Sequence, residues 1–145
     1  MSWGGKVILV ENALELVDLP GASGVTAINT VPSAISQLSR VNAIPDSVNT
    51  INLAGEALQW SLVKQLEQRH PHIQQIFNLY GPSEDTTYST YALVGGREQE
   101  EESITNYQLP TTNYQSPPIG FPIANTQAYI LDSYLQPVAV GVIGE

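Results

Sequence analysis

Short apolar runs alternating with helical periodicity constrain this chain more than any other feature. Residues 25–29, 48–53 and 73–80 are strand-length runs rich in β-branched and other apolar side chains, and residues 6–10 share that character. Between them lie segments with apolar residues three and four apart. Thr30 can cap the first through its hydroxyl, with Pro32 in the first turn, where a missing N–H costs little. Ala34, Ile35, Leu38 and Val41 then form one apolar helical face. The second segment spans residues 56–69, with Leu58, Leu62, Val63 and Leu66 on one side. His70-Pro71 ends it, because a residue before proline avoids the helical region. Strands joined by helical crossovers predict an α/β fold, mostly parallel in its pairing.

The second half has a different pattern. Residues 88–94 read as extended, and Gly95-Gly96 ends them. Residues 97–117 are polar and uneven, a solvated excursion in which a plain surface loop is favoured over an acidic functional patch. Residues 127–131 and 138–143 are read as further short strands, so the second half is expected to be irregular and β-rich. The chain opens directly into a strand approach and stops at Gly144-Glu145, which reads as a piece cut from a larger domain.

Composition narrows the function. The 145 residues, 42% of them hydrophobic, suffice for a core and fit one domain or a sizeable part of one. Fourteen acidic against five basic residues leave a formal charge of −9, with no basic run to neutralise a nucleic-acid backbone. A nucleotide remains compatible, since a metal ion and backbone N–H groups can handle local phosphate charge. Cysteine is absent, which excludes disulfides, thiolate nucleophiles and Cys-based zinc sites and suits a reducing compartment. No stretch approaches the roughly 20 apolar residues of a membrane helix. The expectation is a soluble cytoplasmic protein that binds neither nucleic acid nor membrane.

The densest group of reactive side chains is Tyr80-Gly-Pro-Ser-Glu-Asp-Thr-Thr87. It comes after an apolar strand and so lies at a strand's carboxyl end, where open α/β sheets place ligands. Gly81 and Pro82 make a tight bend that gathers the hydroxyls and carboxylates behind it. Hydroxyls can meet phosphate oxygens, Glu84 can give Mg²⁺ a hard oxygen ligand, and Tyr80 offers a flat face to a purine. On chemistry alone the run serves equally as a polar turn. Leu53-Ala-Gly-Glu-Ala57 also hands a strand over to a helix, and Gly55 permits close approach. Physics alone favours a plain turn there, with Glu56 at a helix N-terminus. His70 and His72 lack a third metal partner nearby and read as solvated loop histidines, and Trp3 and Trp60 as packing residues.

Asn78-Leu-Tyr-Gly-Pro-Ser-Glu84 resembles the Asn-x-Tyr-Gly-Pro-Thr-Glu signature of the adenylate-forming enzymes, in the form used by amino-acid-activating domains of nonribosomal peptide synthetases. Other stretches resemble the same family in the same order: Ser2-Trp-Gly-Gly-Lys-Val-Ile-Leu, Ile28-Asn-Thr-Val-Pro-Ser-Ala34, Asn52-Leu-Ala-Gly-Glu-Ala-Leu58, and Ile119-Gly-Phe-Pro-Ile-Ala-Asn-Thr126 leading into Tyr129-Ile-Leu-Asp132. Gly141-Val-Ile-Gly-Glu145 looks like the start of the family's Gly-Glu-Leu segment. The resemblance implies part of the large N-terminal subdomain of an adenylate-forming enzyme. It implies a reaction of amino acid with ATP to an aminoacyl adenylate, which then loads the phosphopantetheine thiol of a carrier-protein domain beside condensation domains.

Matching positions imply the roles. Asn78 and the backbone of Gly55, Glu56 and Ala57 would edge the adenine, Tyr80 would stack on it, and Gly81 would shape the bend. Ser83, in place of the commoner threonine, would reach a phosphate, and Glu84 would bind Mg²⁺. Asn29, Asn52, Ala54, Leu79, Thr87 and Tyr88 would line the amino-acid pocket; they carry no charge and resemble pockets for small neutral residues, alanine before glycine. The family's phosphate loop, its Thr-Gly-Asp segment and the C-terminal lobe with the catalytic lysine match nothing here, so the catalytic set is incomplete and the chain alone is expected to be inactive. Two other readings stay open: a piece of an acyl- or aryl-CoA ligase, and a non-enzymatic α/β binding domain.

Overall fold

The computed structural model describes residues 4–82, 84, 87–97 and 116–144. Its centre is a five-stranded sheet in simple order, built from β1 (Ala27–Thr30), β2 (Thr50–Leu53), β3 (Gln75–Tyr80), β4 (Thr90–Gly95) and β5 (Phe121–Pro122). Strands β1, β2 and β3 are parallel, joined by helices α1 (Pro32–Arg40) and α2 (Trp60–Arg69). β4 and β5 are antiparallel additions, so the expected parallel α/β half and β-rich half meet in one sheet.

Alternation along each strand decides which face is covered. Ile28, Ile51, Leu53 and Ile76 are buried, and they join Ile35 and Leu38 of α1 and Val63 and Leu66 of α2 in one apolar core. Each such side chain contributes roughly 1.5–3 kcal/mol by leaving water. Register places Asn29, Asn52 and Phe77 side by side between these positions, on the opposite face. That face is wetter: Asn29 is exposed, and Asn52 and Phe77 are half-buried. Trp60 packs against the core as expected, while Trp3 lies outside the described residues.

Several expectations are corrected. Residues 6–10 form no strand, and Val7, Ile8, Leu9 and Val10 are exposed. A β-branched run becomes a strand only where an edge satisfies its backbone, and no described strand pairs with this one. Val41 caps α1 rather than extending its apolar face and is 67% exposed. α2 starts at Trp60, four residues later than expected, so Glu56 is not at its N-terminus. Residues 127–131 and 138–143 give only an isolated Leu131–Pro137 bridge, whereas β5 forms at Phe121–Pro122, where proline obscured the strand signal. The polar excursion lies mostly outside the described residues.

The histidines also differ from expectation. His70 is buried and its Nε2 lies 3.0 Å from Ser39 Oγ, also buried, so it joins the end of α2 to α1. Burial, then the positive charges of His72 and Arg69, lowers its pKa from the ordinary value of 6.5, with Asp46 opposing. A histidine whose folded pKa is depressed takes up protons more readily unfolded. Its contribution is therefore intact above about pH 7 and lost as pH falls through 6.5, by at most about 1.4 kcal/mol per unit. Urea unfolding between pH 5 and 7.5 is expected to show that slope, and His70→Gln should flatten it; an unchanged slope in the variant would contradict the assignment.

Candidate active site

A cavity of about 740 Å³ opens where the carboxyl ends of β1, β2 and β3 meet. Its size falls within the roughly 300–1,000 Å³ of small-molecule sites, and its place at the strand ends is where parallel sheets gather turn residues. Three turns and one returning segment form its walls.

The first wall lies just past β1. Asn29, Thr30 and Val31 reach the cavity before Pro32 starts α1. Val31 is the N-cap but its side chain has no oxygen to offer, and Thr30, expected to cap, makes no capping bond. The cap comes from the second wall instead. Glu56, in the turn after β2, accepts from Ser33 N through Oε2 and from Ser33 Oγ through Oε1, each at 2.9 Å. Ala54, Gly55, Glu56, Ala57 and Leu58 line this side. Gly55 has a φ of +81°, which carries the turn close over Val31.

The third wall is the end of β3 together with the turn after it. Asn78, Leu79, Tyr80 and Gly81 lie there with Thr87 and Tyr88. Tyr80 is 52% exposed, so its ring is free to meet a planar ligand. Thr87 holds a φ of +135°, a rare value for a β-branched residue. Tyr88 crosses to the first wall, its hydroxyl donating to Asn29 Oδ1 at 3.1 Å. Ser116, Pro117 and Ile119 supply the last side, tied down by the Asn78 Nδ2 bond to the Pro118 carbonyl at 2.8 Å.

Thus the cavity gathers Asn29, Ala54, Gly55, Glu56, Ala57, Asn78, Leu79, Tyr80, Gly81, Thr87 and Tyr88 from positions singled out in the sequence. Asn52, half-buried on the sheet face behind, and Glu84, exposed on the next turn, are not among its lining residues. Ser83 lies outside the described residues. Thr30, Val31, Leu58, Ser116, Pro117 and Ile119 were not anticipated, although Thr30, Val31, Leu58 and Ile119 stand inside three of the stretches quoted above. Among the described residues no group of three or more His, Cys, Asp or Glu is placed to hold a metal unaided, and no helix is long and apolar enough to cross a membrane.

Comparison with known proteins agrees across the whole chain. Residues 1–145 match the AMP-binding enzyme family. A linear gramicidin synthase of Brevibacillus parabrevis is 53% identical over 145 residues, all of this chain and 2% of that protein. The antimetabolite synthetase AmbB of Pseudomonas aeruginosa is 38% identical over 142 residues, 98% of this chain and 10% of its own length. The chain therefore spans a small part of the curated relatives it matches. Among solved structures, an NRPS protein containing adenylation and PCP domains aligns with a TM-score of 0.65 at 24% identity, over 86% of this chain and 22% of its own. The Klebsiella oxytoca NpsA N-terminal subdomain aligns at 0.64 and 17% identity, over 94% and 30%, a likeness of fold. The chain belongs to the AMP-binding enzyme family, as a segment of an adenylation domain of the nonribosomal peptide synthetase kind.

Proposed function

We propose that this segment forms half of the site at which a synthetase joins an amino acid to ATP, giving an aminoacyl adenylate and pyrophosphate. The acyl group then passes to the phosphopantetheine thiol of a carrier domain, with condensation domains as further partners. The observation that carries the reading is the single cavity bounded by Tyr80, Asn78 and the 54–57 turn on one side and Asn29, Leu79, Thr87 and Tyr88 on the other. In this reading the backbone of Gly55–Ala57 and Asn78 edge the adenine and Tyr80 stacks on it. Ser83 reaches a phosphate. Leu79, Thr87, Tyr88, Asn29, Ala54 and Asn52 bound the amino-acid pocket.

The chemistry of the lining supports a small neutral substrate. It carries no charge on the Asn29–Tyr88 side, and the Tyr88–Asn29 bond draws a large ring across the space. Alanine is the first choice and glycine the second. Glu84, a solvent-exposed carboxylate, fits Mg²⁺, which takes one or two protein carboxylates and fills its remaining positions with water and phosphate oxygens. When bound, such an ion offsets negative charge on the phosphates. Backbone N–H groups and hydroxyls do the rest of the holding, which lets an acidic chain accept a nucleotide. We place the protein in the cytoplasm, in keeping with its lack of cysteine.

The parent synthetase should exchange pyrophosphate into ATP in the presence of alanine, and Tyr80→Ala should raise KM for ATP by about tenfold through lost stacking. The 145-residue chain alone should not exceed its own Glu84→Ala control, because the phosphate loop, the Thr-Gly-Asp segment and the catalytic lysine belong to the rest of the domain. No alanine-dependent exchange by the parent would rule out the substrate, and an unaltered KM in Tyr80→Ala would rule out the nucleotide site.

A further inference from the structure

Glu56 lines the cavity, yet its carboxylate is already occupied. Both oxygens are taken by Ser33, one by the backbone N–H and one by the hydroxyl, each at 2.9 Å. Ser33 is the second residue of α1, whose N-cap, Val31, offers no side-chain acceptor. The first turn of a helix leaves N–H groups without intrahelical partners, and its end favours negative charge. Glu56 meets both needs from a turn 23 residues away. One further hydrogen bond joins the same turns, Ala54 N donating to Thr30 O at 3.2 Å, and Gly55 passes so near Val31 that an added Cβ would stand 3.4 Å from its Cγ1.

We propose that Glu56 is a positioning residue of the nucleotide site, acting through Ser33 to hold the 54–57 backbone against the start of α1. This rests on the nucleotide-site reading above. Thr30, Val31, Ala54, Gly55 and Ala57 all line the cavity, so the clamp sets the separation of two of its walls. A free carboxylate at that wall would repel phosphate; one neutralised by a helix N-terminus does so far less. The residue thus shapes the site through its side chain and serves the ligand through its backbone.

Two readouts test this in the full-length protein that carries the segment. Without nucleotide, amide hydrogen exchange at residues 54–58 should quicken in Glu56→Ala and stay near wild type in Glu56→Gln, whose amide can still bond both groups of Ser33. With ATP and alanine, Glu56→Ala should raise KM for ATP about tenfold while changing kcat little, and Glu56→Gln should restore most of it. Ser33→Ala should add almost nothing to Glu56→Ala, as expected for two ends of one clamp. If Glu56→Gln is as impaired as Glu56→Ala, or the two substitutions add fully, Glu56 touches the ligand directly and the proposal is wrong. If Glu56→Ala leaves KM unchanged while Tyr80→Ala raises it, the positioning role alone fails; if neither moves KM, the nucleotide-site reading fails with it. Should Glu56→Ala not fold, the comparison of Ser33→Ala with Glu56→Gln carries the same decision: Ser33→Ala alone should raise KM, and no rise overturns the clamp.

Discussion

Replacing Gly120 by alanine is expected to destabilise the protein by on the order of 3–5 kcal/mol, among the largest effects a single methyl group can have. Two independent causes add. Gly120 has a φ of +79°, where an L side chain is strained, and a Cβ there would overlap the Tyr91 carbonyl oxygen and lie 2.7 Å from Ala92 Cβ. The backbone of β4 cannot give way cheaply, because Tyr91 pairs with Phe121 and Thr90 with Pro122. Relief therefore requires β5 to leave the sheet. The segment just before it carries Ile119, Pro117 and Ser116, which close the cavity, and Pro118, whose carbonyl Asn78 holds. Gly141 isolates the two causes: it has a φ of +86° but nothing within 4 Å of an added Cβ. Gly141→Ala should lose only about 1 kcal/mol. Denaturant unfolding of both variants decides the matter, and equal losses would mean that the overlap with Tyr91 is unimportant.

The contrast between β1–β3 and β5 explains what could be read in advance. Residues 25–29, 48–53 and 73–80 gave β1, β2 and β3 within two residues at each boundary because each run carries β-branched and other apolar side chains for the face that the helices cover, which one sequence displays by itself. β5 carries no such mark: its two residues are phenylalanine and proline, and what makes them a strand is the free edge of β4. Residues 6–10 show the reverse case, an apolar run that pairs with no described strand. The same logic governs the site. Asn78, Tyr80 and the 54–57 turn were legible through the resemblance of their stretches to the adenylate-forming enzymes, since a strand end alone left a plain turn equally open at one and favoured at the other. The union of Glu56 with Ser33, of His70 with Ser39 and of Asn78 with Pro118 was not, since each spans 23 to 40 positions and depends on how the helices pack. Thr30 looked like the cap of α1 by local rule, and a long-range carboxylate took that place.

Gly81→Ala should damage ligand binding more than folding. An added Cβ would come within 2.7 Å of Thr87 O and Tyr88 Cα and 2.8 Å of Ser89 N, all backbone atoms. Side chains could swing away from such a contact; main chain must translate. Ser89 N already donates to Tyr80 O at 2.8 Å, so the strand end and the returning chain are fastened at the point the methyl group would prise open. The overpacking should cost about 2 kcal/mol, within the usual 1–3 kcal/mol of such insertions. Its geometric consequence is larger, because Tyr80 and Gly81 stand on one side of the gap and Thr87 and Tyr88 on the other, all four on the cavity wall. Separating them shifts the Tyr80 ring and strains the Tyr88–Asn29 bond together. KM for ATP and for the amino acid should therefore rise in parallel in the parent protein, each by at least about tenfold, since small displacements of positioning groups cost disproportionately. Gly24→Ala is the matched control, with nothing within 4 Å of an added Cβ, and should leave both values unchanged. A rise in only one KM would show that the two halves of the cavity are set independently, and that the bend at Gly81 serves one ligand rather than both.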